Sequence, residues 1–277
     1  FMENNHISAY DEEKHKGLVR HVLIRYGFKT DEIMVCLVIN GEKLPHAEKL
    51  VDKLCEISGM TSITISVNKA KTNVIMGNEI KLLWGQTYIT DYIGNVKYQI
   101  SPLSFYQVNP VQTEKLYGLA LDYADLNGNE TVWDLYCGIG TIGMIASKHA
   151  KEVIGVELNR EAVKDAIGNA KGNGVKNIRF YQADAGEFMV AMAERGESMD
   201  VVFMDPPESR KREAFLQSVA RLAPKKIVYI SCNPETMARD LKYLTKKKYE
   251  VSKICPVDMF PFTEHVECIV SMVRKEK

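Results

Sequence analysis

The sequence predicts an α/β protein: a mostly parallel sheet covered on both faces by helices, with a smaller α+β domain ahead of it. Three observations lead there. From about Pro110 onward, short apolar strands alternate with helical segments, which is the rhythm of a parallel sheet. A glycine-rich turn, Cys137-Gly138-Ile139-Gly140-Thr141-Ile142-Gly143, joins one such strand to a helix. The residues before Pro110 read instead as β-branched runs with a single helix among them.

In order, residues 18–26 and 32–39 are β-branched runs separated by the turn-like Gly27-Phe28-Lys29-Thr30-Asp31, and Asn40-Gly41 breaks the second run. Residues 45–57 have helical spacing, with Ala47, Leu50, Val51, Leu54 and Ile57 on one face and Gly59 as a stop. Residues 62–67, 73–76 and 88–100 give further strands, an α+β module with mostly local hairpins. In the second part, helices are expected over 112–123, 143–149, 160–173, 212–222 and 234–244. Strands are expected over 131–135, 152–156, 178–181, 199–204, 226–231, 251–257 and 266–273. A ligand of such a sheet lies at the carboxyl ends of its strands, near the switch in strand order.

Bulk composition narrows the classes. With 45% hydrophobic and 26% charged residues the chain is ordinary for a globular protein. No apolar run approaches the ~20 residues of a membrane span. Phe1-Met2-Glu3-Asn4-Asn5 lacks a secretory pattern, and Phe ahead of Met reads as a piece of a longer chain. Lys+Arg and Asp+Glu both total 36, so the chain has no net basic footprint for nucleic acid. The clusters Arg210-Lys211-Arg212, Lys225-Lys226 and Lys246-Lys247-Lys248 read first as solvated surface. Six cysteines, Cys36, Cys55, Cys137, Cys232, Cys255 and Cys268, show no Cys-x-x-Cys pair. No metal or iron–sulfur site is therefore expected, and reduced thiols fit a cytoplasmic location. All but Cys232 read as small buried apolar residues.

The glycine turn lets backbone amides approach a ligand closely, a property that dinucleotide and S-adenosylmethionine (AdoMet) sites share. Glu157 ends the next strand, where an acid accepts hydrogen bonds from ribose hydroxyls; otherwise it merely caps the following helix. Asp134 favours AdoMet, because D-x-x-x-G-x-G is the usual motif of class I (Rossmann-like) methyltransferases. Asp184 follows a later strand, at the position that commonly contacts adenine in that class. Asp205-Pro206-Pro207 ends another, where such enzymes turn the cofactor toward the substrate. A hydride-transferring enzyme explains the first turn but not Asp-Pro-Pro.

Cys232 ends the apolar run Ile227-Val228-Tyr229-Ile230, and Pro234 suits the first position of the next helix. A thiol there feels the positive end of the helix dipole, which raises its thiolate fraction. Covalent methylation of a pyrimidine needs such a thiol and one general base near the methyl donor. Glu267 is the expected base, with Glu264 and His265 as rivals that position on one strand does not separate.

The segments Ser101-Pro102-Leu103-Ser104-Phe105-Tyr106-Gln107-Val108-Asn109, Asp134-Leu135-Tyr136-Cys137-Gly138, Asp205-Pro206-Pro207, Ser231-Cys232-Asn233-Pro234, Asp258-Met259-Phe260-Pro261 and His265-Val266-Glu267 together resemble bacterial RNA (uracil-5-)-methyltransferases of 23S rRNA and tRNA, in order and over nearly the whole chain. The resemblance implies a substrate-side α+β domain at 1–108 and an AdoMet-dependent methyltransferase domain at 109–277. It implies Cys232 as nucleophile and Glu267 as the base that takes the carbon 5 proton. Gln107, Tyr136, Gly138, Glu157, Asp184 and Asp205 become cofactor-site residues, and Phe105 a ring that stacks on a flipped base. The implied partner is RNA, rRNA first and tRNA second, with no membrane and no metal.

Two departures bear on activity. The family usually continues Asp-Pro-Pro with Arg and a nearby Gly, where this sequence has Glu208-Ser209-Arg210-Lys211. An N-terminal β-barrel domain, common in the family, has no counterpart in this sequence. Both motivate an alternative expectation: an AdoMet- and RNA-binding module with little or no catalysis. An amino-methylating enzyme with Asp-Pro-Pro-aromatic is disfavoured, because Glu208 offers no ring.

Overall fold

The computed structural model describes residues 1–206 and 212–275. The chain divides into two units: Phe1–Tyr92 with Lys97–Ser104, and Ile93–Val96 with Phe105–Lys277. Glu208, Ser209, Arg210 and Lys211, on which the Asp-Pro-Pro departure and one basic cluster turn, lie outside the described residues.

The first unit is built on four strands, β1 (Val19–Tyr26), β2 (Ile33–Ile39), β3 (Met60–Val67) and β4 (Glu79–Gly85), in the order β1-β2-β3-β4. β1 and β2 form the expected antiparallel hairpin, but β2 and β3 run parallel. Parallel neighbours need a crossover, and helix α1 (Ala47–Cys55) supplies it, so this module is less purely hairpin-built than its sequence predicts. Leu50 and Leu54 of α1 pack on Val35, Leu37, Ile39 and Ile65. Ile57 falls beyond the helix and is exposed.

The strand expected over 73–76 does not form. Its backbone is held instead by Asn68, whose side-chain amide donates to the carbonyls of Val74 (2.7 Å) and Ile75 (2.9 Å). A side chain has taken the place of a ladder partner, and the strand comes later, as β4, antiparallel to β3. The stretch 88–100 splits at Gly94 (φ 57°) into a hairpin of β5 (Ile89–Ile93) and β6 (Val96–Ile100).

The second unit alternates as predicted: α2 (Pro110–Ala124), β7 (Thr131–Leu135), α3 (Thr141–Ala146), β8 (Glu152–Glu157), α4 (Arg160–Gly172), β9 (Ile178–Gln182), α5 (Ala185–Arg195), β10 (Val201–Met204), α6 (Arg212–Leu222), β11 (Lys226–Ser231), α7 (Pro234–Thr245), β12 (Tyr249–Val257) and β13 (Glu267–Arg274). Helix α5 has no counterpart in the sequence reading. Its mean hydropathy is dominated by Ala and Met, and the capping Asp184 reads as a ligand as readily as a start signal. The strands form one seven-stranded sheet in the order β12-β13-β11-β10-β7-β8-β9. β9, β8, β7, β10 and β11 are parallel, whereas β13 is antiparallel to both β11 and β12. The order reverses between β7 and β10, which is the switch point where a ligand is expected.

One sheet face is closed by α5, α6 and α7. Trp133, Leu135, Val202, Met204, Ile227 and Tyr229 pack there against Phe188, Phe215, Val219, Met237 and Leu244. Each such side chain contributes about 1.5–3 kcal/mol by leaving water. The buried Tyr229 hydroxyl donates to Asp240 (2.8 Å), so its polar end carries no desolvation penalty. Lys225 and Lys226 are tied to Asp200 (2.9 Å) and Asp125 (3.1 Å), which makes that basic pair structural. Among the described residues no helix is long and apolar enough to cross a membrane, and no group of three or more His, Cys, Asp or Glu side chains is placed to hold a metal ion. Cys36, Cys137 and Cys268 are buried as expected, but Cys55 is exposed at the end of α1 and Cys255 is half-buried.

Gly140 enters α3 with φ 82°, and a Cβ added there would lie 2.8 Å from the Phe180 ring. Gly168 sits inside α4 with nothing within 4 Å of such a Cβ. Thermal unfolding should separate them: Gly140→Ala should destabilise by about 2 kcal/mol or more, lowering Tm by roughly 4–8 °C. Gly168→Ala should stabilise by about 0.5–1 kcal/mol. An unchanged Tm for Gly140→Ala would mean that the turn tolerates a side chain.

Candidate active site

The sheet register assembles the site. Leu135 is level with Val156 of β8 and Met204 of β10, and Met204 with Tyr229 of β11. The next residues along these strands, Tyr136, Glu157, Asp205 and Ile230, therefore emerge together at the carboxyl edge. On the far side, the antiparallel β11–β13 ladder ends at Ser231↔Cys268. Cys232 follows Ser231 and Glu267 precedes Cys268, so the two stand one residue beyond the last pair of the ladder, at adjoining ends of adjacent strands.

The glycine turn grows out of β7. Tyr136 leaves the strand at φ 66° and turns its ring against Phe215, with centroids 5.8 Å apart. Cys137 is buried, and burial raises its thiol pKa well above the ordinary value, which makes it inert. Asp134 accepts the Gly143 amide at 2.8 Å and so fixes the start of α3 from below. Glu157 accepts the Gly138 amide (3.1 Å) through one oxygen and the Asn159 amide (2.7 Å) through the other. It does not cap α4; the Asn159 side chain does, accepting from Glu161 and Ala162. Gln107, Tyr136, Gly138 and Asp205 line one cleft together with Phe105, Tyr117 and Thr141.

Asp184 stands apart from that lining. It is exposed and caps α5 by accepting the Glu187 amide (3.0 Å), a role sufficient to explain an Asp there. Tyr117, also in the cleft, was not singled out by the sequence. The Tyr117 hydroxyl meets Thr141 Oγ1 at 3.2 Å. Its signal is only the buried periodicity of Thr113, Leu116, Tyr117, Ala120 and Ala124 along α2, which marks a packed face and not a site.

Electrostatically the site is a knot of acids. Burial pushes Asp134 up to about 7 against the Gly143 hydrogen bond, with the Asp205 and Glu157 charges adding to it. Glu267 is buried, and desolvation with the Asp205 charge pushes it up to about 7 as well. Burial, followed by the charges of Asp205, Asp134 and Glu267, holds the Tyr117 phenol protonated throughout the ordinary range. The rivals Glu264 and His265 are exposed. Only Glu267 of the three combines burial with a proton affinity poised near neutrality.

Cys232 itself is exposed. Behind it, Asn233 caps α7 by accepting the Thr236 amide (3.0 Å), Pro234 takes the first turn, and Ser231 Oγ accepts the Asn233 amide (3.1 Å). These bonds hold the strand-to-helix turn and leave the thiol at the positive end of a twelve-residue helix.

The model of the family described as tRNA (Uracil-5-)-methyltransferase matches residues 39–275. An uncharacterized RNA methyltransferase of Clostridium tetani is 48% identical over 273 residues, 98% of this chain and 59% of the relative. One from Halalkalibacterium halodurans is 47% identical over 270 residues, 97% of this chain and 59% of the relative. The crystal structure of Pyrococcus abyssi tRNA (uracil-54, C5)-methyltransferase in complex with S-adenosyl-L-homocysteine superposes with a TM-score of 0.82 at 33% identity, covering 99% of this chain and 64% of that one. This chain thus spans 59% of the length of the two bacterial relatives. A model match over most of the sequence and these identities have one reading: the chain belongs to the tRNA (uracil-5-)-methyltransferase family.

Proposed function

We propose that this chain carries the catalytic site of an AdoMet-dependent enzyme that methylates carbon 5 of a uridine in RNA, rRNA first and tRNA second, through a covalent Cys232–uracil adduct. The observation that carries the proposal is the facing pair at the β11–β13 edge, an exposed thiol and a buried carboxyl of raised proton affinity, beside the glycine-turn cleft.

The cleft suits AdoMet better than a dinucleotide. Asp205 lines it and Glu157 holds the Gly138 amide, with the buried Asp134 pushed up to about 7 behind them, and carboxylates there attract a sulfonium and repel a diphosphate. Gly138, at φ 54°, has nothing within 4 Å of an added Cβ, so a ligand can lie against its backbone. Gln107, Tyr136, Gly138, Glu157 and Asp205 are the residues that would hold it; Asp184 joins them only through the resemblance. AdoMet supplies an electrophilic methyl group.

The protein's part is nucleophile and base. The Cys232 thiolate adds to carbon 6 of the uracil and moves charge onto the ring, which makes carbon 5 nucleophilic enough to accept the methyl. Glu267, as carboxylate, then removes the carbon 5 proton, the double bond re-forms, and the thiolate leaves. A carboxyl poised near 7 accepts that proton readily, where an ordinary one is a weaker base. Phe105, 70% exposed at the cleft, offers a face for the flipped ring.

Three measurements test this. Incubation of in-vitro transcribed rRNA and tRNA with labelled AdoMet should yield 5-methyluridine, and Cys232→Ala should lower the rate by about a thousandfold or more. A mutant with undiminished rate would eliminate covalent catalysis, and saturable heat with NADH instead of AdoMet would eliminate the cofactor. With 5-fluorouridine RNA, which has no removable proton at carbon 5, a stable protein–RNA adduct should accumulate.

Glu267→Gln should let the adduct form but slow its resolution by roughly 100-fold to 10,000-fold. For the parent, resolution should rise with pH through about 7 and then level off, because the carboxylate is the active form. The stability effect has the opposite sign. A carboxyl whose folded pKa is raised stabilises the fold at low pH and loses that contribution as pH rises from about 4.5 to about 7. Glu267→Gln should therefore gain stability over the parent above pH 7 relative to the difference at pH 5. Equal differences at both pH values would show that Glu267 is not buried as an acid.

A further inference from the structure

The loop of residues 258–266 joins β12 to β13 and ends beside Glu267. It carries a ring with no cover: Phe262 has 108% relative exposure. Its backbone lies at φ 68°, a left-handed conformation that costs a bulky L-residue steric strain. The loop is nevertheless built. The Phe260 carbonyl accepts from the Thr263 amide (3.2 Å) and hydroxyl (2.7 Å), and the His265 amide donates to Thr263 Oγ1 (3.2 Å). Met259 is buried, and the Phe260 ring stands edge-on to His265. The surrounding bonds hold Phe262 outward in a strained geometry, and a fully exposed ring adds nothing to the core. Strain of this kind persists where the surrounding structure over-determines it, and it gathers at ligand-contacting segments.

A second observation says what that contact is. The Asn109 side-chain amide donates to the Met259 carbonyl (3.1 Å), and the Thr113 hydroxyl approaches the Met259 sulfur (3.9 Å). The segment before α2, which carries the exposed Phe105, is thus fastened to the loop that carries Phe262. Two exposed phenyl rings stand on two joined segments of the unit that holds Cys232 and Glu267. Asp258 and Glu264 flank Phe262 and disfavour a phosphate or an anionic lipid surface at this spot. The face of a nucleobase is uncharged and stacks on any phenyl ring.

Resting on the RNA-methylation reading above, we propose that Phe262 is an RNA-contact residue whose ring stacks on an unpaired base next to the target uridine. Phe105 is left for the target itself.

The test uses a fluorescein-labelled, uridine-containing single strand of about 12 nucleotides, long enough for one binding surface. Anisotropy at fixed salt should show Phe262→Ala binding roughly tenfold more weakly and Phe262→Trp binding like the parent. The extra indole emission of F262W, taken as a difference from the parent, should be quenched by RNA, a signature that a merely structural role would not produce. Equal affinity for parent and Phe262→Ala, with unquenched F262W, would overturn the inference. So would a loss of self-association in Phe262→Ala at unchanged RNA affinity, which would assign the ring to a protein contact. In either case the parent's adduct with 5-fluorouridine RNA would leave the methylation reading standing. A parent that neither binds the strand nor forms that adduct would remove both.

Discussion

The site depends on the insertion of one antiparallel strand. In a purely parallel sheet every carboxyl end points the same way, and the residues beside a nucleophile at the end of β11 would come from other strand ends. β13 runs the other way, so its first residue, not its last, meets the end of β11. A base can therefore stand at the start of a strand, buried by β12 on its other side through the Val257↔Glu267 pair, while still facing the reacting edge. Burial and access rarely coincide for a carboxyl. Here the strand direction provides both.

The acids explain one another. Asp205 raises both Asp134 and Glu267, and all three bear on Tyr117. Several carboxylates in one dry cleft destabilise each other, and a fold retains them when something positive joins the cleft or when one keeps its proton. A sulfonium ligand offers the first remedy and a proton on Glu267 the second. On the proposed reading, the same crowding that costs stability near neutral pH tunes Glu267 as the base and favours a cationic ligand in the cleft. Asp134 serves the frame as well, because its bond to the Gly143 amide fixes where α3 begins and hence how the glycine turn presents its amides.

Much of the second unit was legible because its signals are local. Thr131–Leu135, Lys226–Ser231 and Arg212–Leu222 are apolar runs or periodic segments whose limits follow from neighbouring Gly, Pro and Asn. The first unit was harder. Val74 and Ile75 look like strand residues, yet the amide of Asn68 captures their carbonyls, an interaction that no window of sequence shows. In the candidate site, Cys232, Glu267, Asp205 and the glycine turn stand out by residue type and position, and the structure puts the first two at adjoining strand ends and the last two in one cleft. Glu267 is set apart from its rivals Glu264 and His265 by burial, which is a tertiary property. Asp184 shows the converse limit, since an Asp before a helix signals a cap and a ligand in the same letters, and the cap is what it makes.

Zero net charge gives the aromatic residues their weight. On the proposed RNA-methylation reading, a chain of zero formal net charge draws on contacts that salt does not weaken as well as on counterion release. Stacking on exposed rings is such a contact, and it also answers a kinetic need. A uracil that leaves its stack to reach Cys232 loses its neighbours' π faces, and the base next to it loses one as well. On the proposed reading, Phe105 at the cleft compensates the first loss and Phe262 on the joined loop the second. Asn109 ties the two segments together through the Met259 carbonyl. On that proposal, base extrusion draws on stacking as well as on charge.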